Sequence, residues 1–72
     1  MRKNNKLKII INGKSRLINT KTSLKALLNT TKLPLNKIAI ELNETIVDKK
    51  KLNKIVLKHK DKIEIVHFIG GG

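Results

Sequence analysis

The sequence has no cysteine, tryptophan or tyrosine; Phe68 is its single aromatic residue and Pro34 its single proline. Without thiols there are no disulfides and no thiolate chemistry, which fits a reducing compartment. His59 and His67 have no cysteine beside them, so the usual zinc patterns are missing and no metal site is expected. No apolar run approaches the ~18 residues of a membrane span. The basic start, Met1-Arg2-Lys3-Asn4-Asn5-Lys6, lacks the apolar stretch of a signal peptide. These absences point to a cytoplasmic protein.

Acidic residues are scarce too. Five Asp+Glu stand against 17 Lys+Arg, a formal net charge of +12. Such a balance suggests nucleic acid, but the residue types argue against it. Only Arg2 and Arg16 are arginines, while groove readers favour Arg and single-strand binders need aromatic platforms. Lys, Asn and Ile are abundant together, as an AT-rich coding sequence would produce. The charge is read first as composition and second as attraction to an acidic partner protein.

What is present is a regular succession of short apolar segments. Leu7-Lys8-Ile9-Ile10-Ile11 reads as a strand with Leu7, Ile9 and Ile11 on one face. Asn12-Gly13 suits a type I′ turn into a second strand over residues 14–19, with Ile18 favoured for the core over Leu17. Ser23, or else Thr22, can cap a helix whose stripe is Leu24, Leu27, Leu28 and Thr31; Pro34 ends it near Lys32. Ile38, Ile40 and Leu42 alternate inward along a third strand, Asn43-Glu44 turns it, and Thr45-Ile46-Val47 returns. Leu52 and Ile55, three apart, fit one short helical or 3₁₀ turn, and the neighbouring Lys run is a solvated surface. Strand, strand, helix, strand, short strand, turn, strand predicts one α+β domain over residues 1–72. Its architecture is a β-grasp: a mixed sheet of four to five strands with one main helix on one face. Residues 1–6 are expected to be a loose basic N-terminus and residues 69–72 a flexible tail.

The chain is organised around its last stretch, Ile63-Glu64-Ile65-Val66-His67-Phe68-Ile69-Gly70-Gly71-Gly72. The alternation commits Ile63 and Ile65 to one face and Glu64, Val66 and Phe68 to the other. Gly70 and Gly71 can enter a slot too narrow for a Cβ, and Gly72 would carry the reacting carboxylate. Extended, the run from Ile69 to Gly72 reaches roughly 13 Å beyond the domain. A catalytic role for His67 is weighed and set aside, because a lone His on a strand is more often packed or solvent-facing. By the same alternation Ile10 and Ala39 point outward, so Ile10, Ala39, Val66 and Phe68 are expected to form a partner-binding patch, with Phe68 as its anchor.

The Asn12-Gly13 turn, Leu24 to Leu28, Ile38 to Asn43, Ile46-Val47 and above all Asp61 to Gly72 resemble the ThiS family of sulfur carrier proteins of thiamine biosynthesis. The likeness runs over nearly the whole chain from Leu7. It implies the ubiquitin-like fold and a carrier that is not itself an enzyme. Its terminal glycine carboxylate would be adenylated by a ThiF-type adenylyltransferase, converted to a thiocarboxylate with sulfur from a donor system, and passed to thiazole synthase. No cofactor would be held permanently; ATP is used by the partner. Two positions depart from the family's pattern: Lys60 stands where Gly commonly precedes the Asp of the last turn, and Asn43-Glu44 replaces Asn-Gly. A positive φ at Lys60 would carry strain of about 1 kcal/mol.

Three rival readings remain at this level. The first is a carrier like the small subunit of molybdopterin synthase, although here His67-Phe68-Ile69-Gly70 runs into the tail without proline. The second is a basic RNA-binding β-grasp module, suggested by charge alone, and the third a protein-conjugating modifier.

Overall fold

The computed structural model describes residues 5–68. In chain order they form β1 (Lys6–Ile11), β2 (Lys14–Asn19), α1 (Leu24–Thr31), β3 (Ile38–Leu42), β4 (Thr45–Ile46) and β5 (Lys62–His67), with 3₁₀ turns at Leu35–Lys37 and Lys49–Lys54. The five strands lie in the order β2-β1-β5-β3-β4. β5 is inserted parallel to β1 and antiparallel to β3, so the last strand occupies the centre of the sheet. This is the mixed β-grasp sheet that the order of elements implied.

Local chemistry explains the elements. Asn12 (φ 48°) and Gly13 (φ 84°) both take positive φ, as a type I′ turn requires, and fix the register Ile11 to Lys14 and Leu7 to Ile18. Ser23 caps α1 by accepting a hydrogen bond from the Ala26 amide at 3.0 Å. The helix closes at Lys32, whose left-handed φ of 61° ends it two residues before Pro34. Leu24, Leu27 and Leu28 are its buried stripe. They meet Ile9, Ile18, Ile38, Ile40 and Ile63 from the sheet, with Leu52 and Leu57 closing the layer. Leu7, Ile11, Leu42, Ile55 and Ile65 pack around this centre only partly buried. In β2 the choice between neighbours resolves cleanly: Ile18 is 8% exposed and Leu17 64%.

Some features extend or revise the sequence reading. β1 begins at Lys6, inside the segment expected to be loose, and the Asn5 carbonyl accepts from the Thr20 amide at 2.9 Å. A 3₁₀ turn, Leu35–Lys37, follows Pro34 in a stretch to which the sequence reading gave no element. Leu57, to which no role was given, is buried, because the Leu57 and Leu24 amides bond the Thr22 and Ile55 carbonyls and draw the strap over residues 55–57 against the start of α1. Residues 1–4 and the expected tail, 69–72, lie outside the described residues.

The turn into β5 is held by side chains. Asp61 accepts from the Lys58 amide at 2.7 Å and from the Asn43 side chain at 3.0 Å, and Asn43 in turn accepts from the Lys62 amide. Asn43 (φ 50°) and Glu44 (φ 72°) make a turn with two positive φ angles without glycine. Lys60 also sits at φ 74°, with its amide on the Lys8 carbonyl. The left-handed region costs an ordinary L-residue roughly 1–2 kcal/mol, and glycine gives back part of that gain in chain entropy. Lys60→Gly should therefore raise stability by about 0.5–1 kcal/mol, a few degrees in Tm for a domain of this size. A Tm that falls would mean that the Lys60 backbone is not strained.

Candidate functional site

β5 carries the chain from the core to its tail. Along its inner face Ile63 is fully buried, Ile65 half-buried and His67 exposed, so the strand leaves the core toward its end, while Val66, 56% exposed, points to the other face. β1 ends at the Asn12-Gly13 turn before β5 does. At that point the Asn12 side-chain oxygen accepts the Ile65 amide at 2.7 Å, replacing the ladder that β1 no longer supplies. One residue thus turns the hairpin and steadies the outgoing strand. The sequence reading saw only the turn, because no local pattern says that the Asn12 side chain meets a residue 53 positions further on.

Phe68 follows directly on β5. Its amide donates to the Lys37 carbonyl at 2.7 Å, extending the β3 pairing by one step. The Lys49 ammonium lies 5.9 Å from the centre of its ring and also donates to the Leu35 carbonyl at 2.7 Å. A cation over a partly exposed ring contributes roughly 0.5–1 kcal/mol. The root of the tail is therefore fixed by a backbone bond and a cation, while 45% of Phe68 stays open to solvent. Lys49 belongs to the Lys run read as plain solvated surface, and its contact with Phe68 crosses 19 positions of sequence that no local pattern could connect.

The four residues expected to form one apolar patch are not all brought together. Ala39 pairs directly with Val66, and Phe68 comes next along the chain. Ile10 instead pairs with Lys62, four residues back along β5, or roughly 13 Å at the rise of a strand. Ile10 and Ala39 are also only half exposed, Ile10 because strands flank it on both sides and Ala39 because its side chain is short. Their alternation was read correctly; their distance along the strand was not, because pairing register is a tertiary fact. The open face beside the tail thus consists of Val66, Ala39 and Phe68, with Ile46 (75% exposed) one strand further out across Glu41. Gly70, Gly71 and Gly72 lie beyond the described residues.

His67 is exposed at the end of β5, and its partner across the sheet is the aliphatic Ile38. Among the described residues no group of three or more His, Asp or Glu side chains is placed to hold a metal ion. No described helix is long and apolar enough to cross a membrane.

Comparison with known proteins agrees with this geometry. The model of the ThiS family matches residues 5–72. A thiazole synthase of Paramagnetospirillum magneticum is 38% identical over 66 residues; the match takes in 92% of this chain but only 20% of that protein, so the chain spans about a fifth of its length. The sulfur carrier protein ThiS of Bacillus subtilis is 50% identical over 38 residues, 51% of this chain and 58% of that one. In fold, a solved structure of the thiamine biosynthesis protein ThiS from Geobacter metallireducens superposes with a TM-score of 0.78 at 23% identity, covering 92% of this chain and all of that one. With five strands in the β-grasp order, a helix on one face and a match that continues through Gly72, the chain belongs to the ThiS family.

Proposed function

We propose that this chain is a sulfur carrier of thiamine biosynthesis whose reacting group is the carboxylate of Gly72. The observation that carries the reading is the central strand β5, held at its exit by the Asn12 and Lys37 bonds and followed in sequence by a Gly-Gly-Gly stretch that the family match includes. A carboxylate is a poor electrophile because its leaving group would be oxide. A carboxylate oxygen therefore attacks the α-phosphorus of ATP, releasing pyrophosphate and leaving an acyl-adenylate. A sulfur nucleophile from the donor system then attacks the acyl carbon, and AMP departs with the original oxygen.

The described residues bring together none of the side chains that these steps need. Their carboxylates sit on the sheet and turns, and His67 has no acidic neighbour across the sheet. The ATP site, the base and the sulfur source accordingly belong to partners: a ThiF-type adenylyltransferase for activation and thiazole synthase for acceptance. Thiazole synthase is favoured because a segment like this chain lies within a longer polypeptide of that name. Both would meet the apolar surface of Val66, Ala39 and Phe68 beside the tail. The chain acts as a co-substrate and holds no cofactor of its own, and its place of work is the cytoplasm.

The test is intact-mass analysis after incubation with the adenylyltransferase, ATP and a sulfide source. The expected product is heavier by the exchange of one oxygen for sulfur, and the gain disappears when thiazole synthase and its other substrates are added. A mass unchanged under these conditions would overturn the reading.

A further inference from the structure

Five acidic residues serve a chain of net charge +12, and three of them have work inside the fold. Asp48 caps the second 3₁₀ turn through the Lys50 amide, Asp61 holds the turn into β5, and Glu44 faces the Lys62 ammonium at 3.5 Å. Glu41 and Glu64 do none of this: neither carboxylate has a hydrogen bond or ion pair among the described residues. They are nevertheless direct neighbours, paired across β3 and β5. Ile40 and Ile63 beside them are buried, so both carboxylates stand on the open face of the sheet, away from α1. Like charges directly opposite in a sheet are destabilising, and lysines abound in this chain. None of the described ones is paired with either of them.

Their position makes this informative. Along β5 the open face runs from Lys62 through Glu64 to Val66, and along β3 from Glu41 to Ala39, with Ile46 flanking Glu41. A partner that covers Val66, Ala39 and Ile46 also covers the two carboxylates. Buried without a cation, adjacent carboxylates would oppose association strongly. We infer that thiazole synthase, docking on this face, presents an arginine whose guanidinium bridges Glu41 and Glu64 between apolar side chains. The geometry favours guanidinium over ammonium. The backbone bonds Asn43 to Lys62 and Phe68 to Lys37 put Glu41 and Glu64 in a hydrogen-bonded antiparallel pair, whose Cα atoms stand roughly 5.5 Å apart. A planar fork with five N–H donors spans two carboxylates at that spacing, while an ammonium acts as a point charge. The inference rests on the reading that this face is where partners dock, and it adds the chemistry that selects them.

The experiment is calorimetric titration of the chain with thiazole synthase, comparing wild type, Glu41→Gln, Glu64→Gln, Glu64→Arg and Phe68→Ala, with circular dichroism to check the fold. Each Gln variant should bind at least about tenfold more weakly, the loss expected for a hydrogen bond to a charged group. Glu64→Arg should lose more, since it sets like charge against the guanidinium. If both Gln variants and Glu64→Arg bound within twofold of wild type while Phe68→Ala bound weakly, the guanidinium bridge would be wrong and the docking face would stand. If none of the four weakened binding, the docking face itself would be misplaced and the inference would fall with it.

Discussion

Deletion of Gly72, or addition of one alanine after it, is expected to abolish thiocarboxylate formation while leaving thermal unfolding unchanged. The structural half of this expectation follows from the core. Among the described residues every fully buried side chain lies between Ile9 and Ile63, and Gly72 has no side chain to pack. The chemical half follows from reach. One residue of extended chain is roughly 3.3–3.6 Å, and reacting atoms must meet within about 3–3.5 Å for attack on the α-phosphorus. Shortening or lengthening the tail by one residue therefore moves the carboxylate by a full reaction distance, and an added alanine would also bring a methyl group into the narrow channel proposed for the glycines. The measurement is intact-mass analysis with adenylyltransferase, ATP and sulfide. Oxygen-to-sulfur exchange in the deletion variant would show that Gly72 is not the reacting residue.

Phe68→Ala is expected to weaken binding to the adenylyltransferase or to thiazole synthase by about 1–3 kcal/mol, roughly 5- to 150-fold. An aromatic side chain offers on the order of 200 Å². With 45% of Phe68 exposed, roughly 90 Å² remains for a partner to cover, or about 2 kcal/mol at 25 cal/mol/Å². Within the fold the rest of the ring, roughly 110 Å², is already covered beside the Lys49 ammonium, so by the same coefficient the variant should also lose up to about 2–3 kcal/mol of stability. The Phe68 amide keeps its bond to Lys37 in the variant because that bond is backbone to backbone. Thermal unfolding and binding titrations separate the two effects. A sharp fall in Tm with unchanged affinity would make Phe68 a packing residue and move the docking surface elsewhere.

Much of this protein was legible in its residues because the signals were local. Asn12-Gly13 named its own turn type, since few other pairs accept two positive φ angles. Ser23 and Pro34 bracketed α1, the period of three and four placed Leu24, Leu27 and Leu28 in the core, and the period of two did the same for Ile38, Ile40 and Ile63. The glycines from 70 to 72 suggested chemistry at the chain end, because a side-chain-free stretch after an apolar strand has little use in packing, and they lie outside the described residues.

The tertiary structure decided which of these segments became neighbours. Alternation says that Ile10, Ala39 and Val66 share a face, but only register says that Val66 lies beside Ala39 and that Ile10 lies some 13 Å away beside Lys62. Asn12 meeting Ile65, Lys49 meeting Phe68 and Glu41 facing Glu64 join residues 53, 19 and 23 positions apart. Local periodicity fixes the side of an element on which a residue falls; the distance between elements depends on how their apolar faces close over one core, which no window of sequence contains.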